Sequence, residues 1–521
     1  MTELRSPPGA PGSAYASYLL AVLVLVYVFN FLDRQIVSIL AERIKADIGA
    51  TDAQIGFLYG TAFAVFYAVF GIPLGRLADL WDRRRLIAVG LAFWSAATAL
   101  SGFARSFGQL AAARIGVGIG EASATPAAFS ILSDTFPAAR RATALALYSS
   151  GIYIGAGLGL FIGGLIVERW DAAYSPGTAP FDLRGWQVAF MAVGFPGILL
   201  ALWVATLREP VRGGLDGLVP PPEPHPFRKF AIELRAVVPP FTLLHLWLER
   251  AGARAIVTNL ASATVIAVLA TVLTLWLGTP AQWIALGIGL YAAASWVQAL
   301  SRRDPPAEHL ILRTASLRNA TLGFAFLAFT GYGTGFWLAP FLVRLHGASE
   351  SEVGLILGGT SAVAGWLGVT VGGILADRWR SRGATGRLRV GLVNALAPLP
   401  VAAWMFTTED VRIAYALSFP FTFLGSFWIG PAASTVQDLV LPRMRGTASA
   451  AYLLVITFIG LAMGPYTIGR LSVGLGDLRA AMLFALAANV VAALLLVRAM
   501  SALPDDERSV LARARSAGEP T

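Results

Sequence analysis

Four ionisable residues lie in stretches that are otherwise apolar enough to cross a bilayer: Asp33 and Arg34 in one, Arg114 and Glu121 in another. Charges at membrane depth are expensive and are retained where they line a pathway, so they point to a transported solute or a coupling ion. An arginine fork suits a carboxylate or phosphate, and a carboxylate in an apolar span can take up and release a proton. Glu121 is the group expected to titrate, with a proton and an anionic head competing for Arg114. Residues seven apart on a helix make about two turns, which puts Arg114 and Glu121 on one face about 10 Å apart. Counted inward from the outer helix ends, Asp33 and Arg114 reach similar depth, about 10 to 12 Å, and are expected to pair. Arg34, about 100° round its helix from Asp33, is then free for an anion or for Glu121.

Two further sets of residues accompany these charges. Tyr332 and Trp337 stand in Gly331-Tyr-Gly-Thr-Gly-Phe-Trp337, and Trp428 stands in Ser426-Phe-Trp-Ile-Gly-Pro431. The other set is a repeated string: Gly75-Arg-Leu-Ala-Asp79, followed by Arg83 and Arg84, and Gly373-Ile-Leu-Ala-Asp377, followed by Arg378. The copies are about 300 residues apart, and Asp134, Pro137 and Arg140 recur as Asp438, Pro442 and Arg445 at nearly the same offset. Two six-helix halves are thus repeated in parallel. The aromatic spans are repeat partners of the charged ones, so both should face one central cavity with a charged wall and an aromatic, apolar wall. Such a cavity suits an amphipathic solute, its anionic head near Arg34 and Arg114 and its hydrocarbon tail against Tyr332, Trp337 and Trp428. Asp79 and Asp377, at helix ends beside arginines, are expected to form charge-assisted hydrogen bonds across the halves when that end shuts and to lose them when it opens.

The spans that position these residues dominate the composition. The chain has 521 residues, 56% hydrophobic and 13% charged, against about 25% charged in soluble proteins. Apolar runs give an all-α membrane protein with about fourteen spans: six between 17 and 207, a transmembrane hairpin at 255–300, and six between 319 and 500. Residues 1–16 form an N-tail, 208–318 a linker containing the hairpin, and 501–521 a charged C-tail expected to be an exposed helix or disordered. The first apolar run is too long for a signal-peptide core. Val219 to Pro226 reads as a polyproline-like spacer, and Phe241 to Leu248 as a short interfacial piece. The net charge of +10 reflects arginines clustered in alternate loops, which by the positive-inside rule places them, and both termini, in the cytoplasm. That charge therefore reports topology, and no nucleic-acid partner is expected. With no cysteine and four scattered histidines, neither a metal site nor a redox centre is expected. No phosphate-binding glycine loop of the ATP-dependent type occurs, so a gradient is the expected energy source and no cofactor is implied.

The strings Asn30-Phe-Leu-Asp33-Arg34 and Arg114-Ile-Gly-Val-Gly-Ile-Gly-Glu121-Ala-Ser123, with Asp134-Thr-Phe136 and Gly155, Gly157 and Gly159, resemble the spinster-like transporters of the major facilitator superfamily. The resemblance is strong from about residue 25 to 165 and extends over the second half at superfamily level. It implies two six-helix bundles, to which the hairpin is an addition. It implies roles in substrate binding and coupling for Asp33, Arg34, Arg114 and Glu121, and gating by Gly75, Asp79, Arg83, Arg84, Asp377 and Arg378. Leu80 and Asp82 depart from the superfamily loop, where arginine and glycine are usual; Asp377-Arg378 keeps the arginine. The reading is a proton-linked secondary transporter of the bacterial inner membrane, a monomer carrying a small amphipathic anion such as a lysolipid or sphingolipid. Alternatives are a multidrug or organic-anion exporter of the same superfamily, and a non-transporting membrane receptor or scaffold. No catalytic set of serine, histidine and aspartate is present to support an enzyme.

Overall fold

The computed structural model describes residues 13–175, 177–216 and 223–519, and in that range the chain is helical with no strand. Residues 219–222 of the proline-rich spacer and most of the N-tail lie outside it. The first bundle comprises α1 (Ser13–Ile48), α2 (Asp52–Leu80), α3 (Arg83–Ser101), α4 (Phe107–Thr135), α5 (Ala138–Ala173) and α6 (Gly185–Ala205). Two shorter helices follow, α7 (Pro226–Val237) and α8 (Phe241–Leu248), bent 113° from each other. The hairpin is α9 (Ala253–Leu277) and α10 (Pro280–Arg303), and α11 (Pro305–Arg313) leads into the second bundle. That bundle is α12 (Ala315–His346), α13 (Glu350–Arg380), α14 (Gly386–Thr407), α15 (Val411–Asp438), α16 (Pro442–Leu475) and α17 (Leu478–Ser516). Among the described residues thirteen of these helices are long and apolar enough to cross a membrane; α3, with 19 residues and three leading arginines, has the length but a less apolar run. The helix starts are set locally: Thr51, Asp82, Ser106 and Ser349 each accept a hydrogen bond from a backbone N–H of the first turn.

The two ends of the molecule differ. At the end opposite the arginine clusters, Arg344 of α12 reaches Glu42 at 2.6 Å and Asp52 at 2.7 Å, and Arg43 reaches Glu350 at 2.7 Å. These pairs join the bundles. Beneath them glycines let the backbones touch: a Cβ on Gly469 of α16 would meet the Asp52 carbonyl at 2.3 Å, and one on Gly157 of α5 would meet that of Gly358 at 2.5 Å. One continuous core accordingly includes the first bundle and the far halves of α12, α13 and α16, whereas the arginine-rich half of the second bundle has its own core. At the arginine-rich end each bundle is instead pinned to itself. Arg83, fully buried, donates to Asp134, to Ser130 at 2.7 Å and to Glu209 at 2.7 Å. Arg387 repeats the bond in the second bundle by donating to Asp438.

The hairpin is not a free spacer on both its helices. On α10, Gly289 packs against Val65 of α2 and Phe458 of α16, and Trp283 meets Tyr466 of α16 at 5.6 Å, so α10 covers the seam between bundles. On α9 most side chains face outward, including Val265, Val268 and Leu275. The C-tail is the exposed helix of the two expected alternatives, but it is tied down: α17 runs on to Ser516, Arg380 reaches Glu507 at 3.0 Å, and Arg443 holds both Asp304 and Glu519. Hydrogen bonds from Arg443 hold the Asp304 and Glu519 carboxyls below the ordinary carboxylate range.

Candidate substrate and coupling site

Three helices of the first bundle build the charged cluster. Gly118 makes the key approach, since a Cβ there would lie 2.4 Å from the Phe63 carbonyl, and α4 consequently passes against α2. Gly120 does the same against Trp94 of α3. The alternating glycines of α4 are therefore packing residues that bring Glu121 and Arg114 up to α1.

There Arg34 Nε donates to Glu121 Oε2 at 2.7 Å, with the glutamate fully buried and the arginine 13% exposed. Asp33 and Arg114 are each 1% exposed, but they do not pair as expected through the carboxylate: Arg114 Nη1 donates to the Asp33 backbone carbonyl at 3.3 Å. The reason is direction. The Asp33 carboxylate turns toward Thr98 of α3, and its Oδ1 makes no hydrogen bond of good geometry. Asn30, one turn before Arg34, sits beside Glu121, and Glu121 Oε1 is likewise unmatched. Buried polar groups are almost always paired, so this cluster holds unusual spare hydrogen-bonding capacity.

Arg34 lies under a roof of rings that sequence reading missed. Its guanidinium carbon is 4.8 Å from the Phe31 centroid, 4.3 Å from Phe63 and 4.8 Å from Tyr67. Phe63 and Tyr67 stack at 5.4 Å, one turn apart on α2. The signal was present as Phe63-x-x-x-Tyr67, an i, i+4 pair in the span next to the charges. Arg34 also lies one turn short of the layer that closes the bundles, where Ser38 donates to the Phe336 carbonyl at 2.5 Å and Tyr59 packs on Phe336 at 4.4 Å.

The expected aromatic wall is only partly there. Tyr332 is half-buried and faces Arg34 across the space between bundles. Trp428 is half-buried, stacked on Phe324 at 6.5 Å within the second bundle. Trp337 does not line the space: it is fully buried, its indole N–H donates to the Pro465 carbonyl at 2.8 Å, and its ring fills the contact made by Gly469. A satisfied N–H and complete burial make it a closing element of α12 against α16. Of the gating residues, Arg83 and Arg84 bond within the first bundle, Arg84 reaching the Leu207 carbonyl at 2.7 Å. The Asp79 and Asp377 side chains are 62% and 79% exposed, each 3.9 Å from an arginine of its own bundle; Gly75 lies near Pro126 of α4, and Arg378 is exposed.

Two repeated bundles around a membrane-buried ionic cluster define a polytopic transporter. The chain belongs to the Major Facilitator Superfamily, which it matches over residues 23–465. It is 29% identical to an MFS-type efflux pump of Mycolicibacterium smegmatis over 90% of this chain and 86% of that one. It is 24% identical to Protein spinster homolog 1 of Xenopus tropicalis over 88% of this chain and 74% of that one. Among solved structures it is similar to a bacterial homolog of the human lysosomal transporter Spinster in an inward-facing, unoccupied conformation, with 26% identity and a TM-score of 0.66 over 96% of this chain and 99% of that one.

Proposed function

We propose that the chain moves an amphipathic anion together with a proton by alternating access of its two bundles, with Arg34 receiving the anionic head. The observation that carries this is the buried cluster of two arginines and two carboxylates beside the space between bundles. Its formal charge is zero as it stands. An anion added to a low-dielectric site of zero charge is costly unless a proton arrives with it, and Glu121 and Asp33 are the groups able to take one. Once the anion engages Arg34, Glu121 loses part of its partner and becomes the favoured acceptor, so anion and proton travel together.

The closed end supports a state that faces the arginine-rich side. By the positive-inside rule that side is the cytoplasm of a bacterial inner membrane, with both termini there. Closing it brings the helix ends bearing Gly75, Asp79, Arg83 and Arg84 toward those bearing Asp377 and Arg378, where the exposed aspartates find arginines across the seam. Opening the other side requires the Arg344 pairs to break. The head group meets Arg34 with Arg114 behind it, and the hydrocarbon tail lies along Tyr332 and Trp428.

Counterflow in proteoliposomes tests the reading, with a panel of lysolipids, sphingolipids and short organic anions. Tailed anions should exchange fastest; preference for tail-free anions would sink the amphipathic solute. A second reading, export of drug-like organic anions, rests on the similarity to the mycobacterial efflux pump. It predicts exchange of such compounds with no requirement for a lipid head.

A further inference from the structure

The bundles meet along two lateral seams, α2 against α16 and α5 against α13. The internal repeat exchanges them, since α2 matches α13 and α5 matches α16. Each seam is tight at the end opposite the arginine clusters and parts toward the arginine-rich end. Along α5 and α13 the contact runs from Gly164 on Glu350, through Gly157 on Gly358, to the ring of Tyr153 on Gly365, and stops there. Along α2 and α16 it runs from Asp52 on Gly469 to Gly60 on Leu461, and fades inward of Ile456.

Beyond the parting the two seams differ. Between the inner halves of α2 and α16 lies a space of about 380 Å³, bounded by Gly75 and Asp79 on one side and by Gly446 and Ala450 on the other. Its remaining wall is the inserted segment, through Val237 of α7 and Trp296 and Leu300 of α10. That wall is packed: Val65 of α2, Val237, Ala292 of α10, and Leu454 and Phe458 of α16 share one small core. A Cβ on Gly289 would lie 2.9 Å from Val65 and 3.0 Å from Phe458, so α10 rests on both bundles at once. Arg303 reaches Glu233 at 3.3 Å and ties α10 to α7 beside the space. The other seam has no such cover, because the described part of the inserted segment packs on neither α5 nor α13. Val369, one turn inward of Gly365, is partly exposed, and the apolar side chains of Leu147, Ile154, Trp366 and Ile374 around this opening are exposed. Tyr153 at its inner edge leads on to Tyr332, which faces Arg34. Each methylene moved from bilayer to water costs free energy, so a long tail favours a sideways path over an aqueous one.

Resting on the reading of a tailed anion given above, we propose that the inserted segment seals the α2–α16 seam against the bilayer. The tailed solute then passes between the arginine-rich leaflet and Arg34 through the α5–α13 seam alone.

Two measurements on the full chain in proteoliposomes test this, helped by the absence of native cysteine. In the first, nitroxides on Val369→Cys and on Ala450→Cys report collisions with oxygen dissolved in the bilayer. The rate at Val369 should exceed that at Ala450 at least threefold, and Trp296→Ala, which thins the seal, should raise the Ala450 rate about threefold. Equal rates at the two places with the seal intact would overturn the proposal. In the second, counterflow of lysophosphatidic acid is compared with that of glycerol 3-phosphate, the same head without a tail. Val369→Trp, which fills the α5–α13 opening, should slow the lysolipid at least tenfold and glycerol 3-phosphate less than twofold. Undiminished lysolipid exchange, or an equal fall in both, would overturn the route. The nitroxides need no substrate, so a chain that exchanges no lysolipid at all would refute the tailed anion while the seal stands or falls on the oxygen collisions.

Discussion

The two bundles share a fold and differ in chemistry. At the repeat offset, the place of Asp33 and Arg34 on α1 falls at Gly331 and Tyr332 on α12, and α15, the partner of α4, carries no charge between Arg412 at its start and Asp438 at its end. What the bundles keep in common is the pin at the arginine-rich end, Arg83 on Asp134 and Arg387 on Asp438. Duplication thus preserved what holds each bundle rigid and released the centre of one bundle from carrying charge. Rigid units that differ only at the middle are what a rocking-bundle transporter needs.

The contrast can be broken most severely in the first bundle. Arg34→Ala leaves Glu121 buried without its partner, a loss of about 3–5 kcal/mol for such pairs, so initial counterflow rates should fall at least about a hundredfold. Tyr332→Ala, at the matching place in the second bundle, should cost far less; equal losses would erase the asymmetry. Phe63→Ala removes the ring nearest the guanidinium, and with cation–π contacts at about 1–2 kcal/mol when desolvated, substrate affinity measured by scintillation proximity should weaken about tenfold.

Conformational balance is the next test. Arg344→Ala removes the ties to Glu42 and Asp52, and the chain has no native cysteine, so Gly335→Cys can report access to the central space. An impermeant maleimide added from the end opposite the arginine clusters should label about tenfold faster in the Arg344→Ala background; an unchanged rate would show that the glycine contacts alone hold that end shut. Trp428→Ala should raise KM a few-fold for tailed substrates and leave tail-free anions unaffected.

Sequence reading reached the fold because apolar length, arginine placement and the internal repeat are global patterns that single contacts do not disturb. The four charges were equally legible, since polarity at membrane depth is rare. Arg34 with Glu121 was among the expected pairings, whereas Asp33 with Arg114 differed, because the Asp33 carboxylate turns toward Thr98 of α3 and leaves Arg114 its backbone carbonyl, a rotation that depth along the helix does not reveal. Trp337 misled for a related reason: its repeat position predicts the central space, but one small residue on α16, Gly469, opened a slot that its ring fills. The tail was read by composition as solvent-exposed, and its anchors come from Arg380 and Arg443, distant in sequence.

Those anchors give the smallest expected effect. With the Asp304 and Glu519 carboxyls held below their ordinary range by Arg443, tail docking is fully present above the ordinary carboxylate pKa of about 4 and is lost as pH falls through the lowered values. Arg443→Ala should raise hydrogen exchange in residues 505–516 at neutral pH and leave transport nearly unchanged.

Infrared difference spectroscopy on the purified transporter, with and without a tailed anion, tests the central claim most directly. Anion binding should produce one new protonated-carboxyl band, which disappears in Glu121→Gln and persists in Asp33→Asn. A band that survives Glu121→Gln, or anion binding with no carboxyl protonation at all, would contradict the coupling of head group and proton at the Arg34–Glu121 pair.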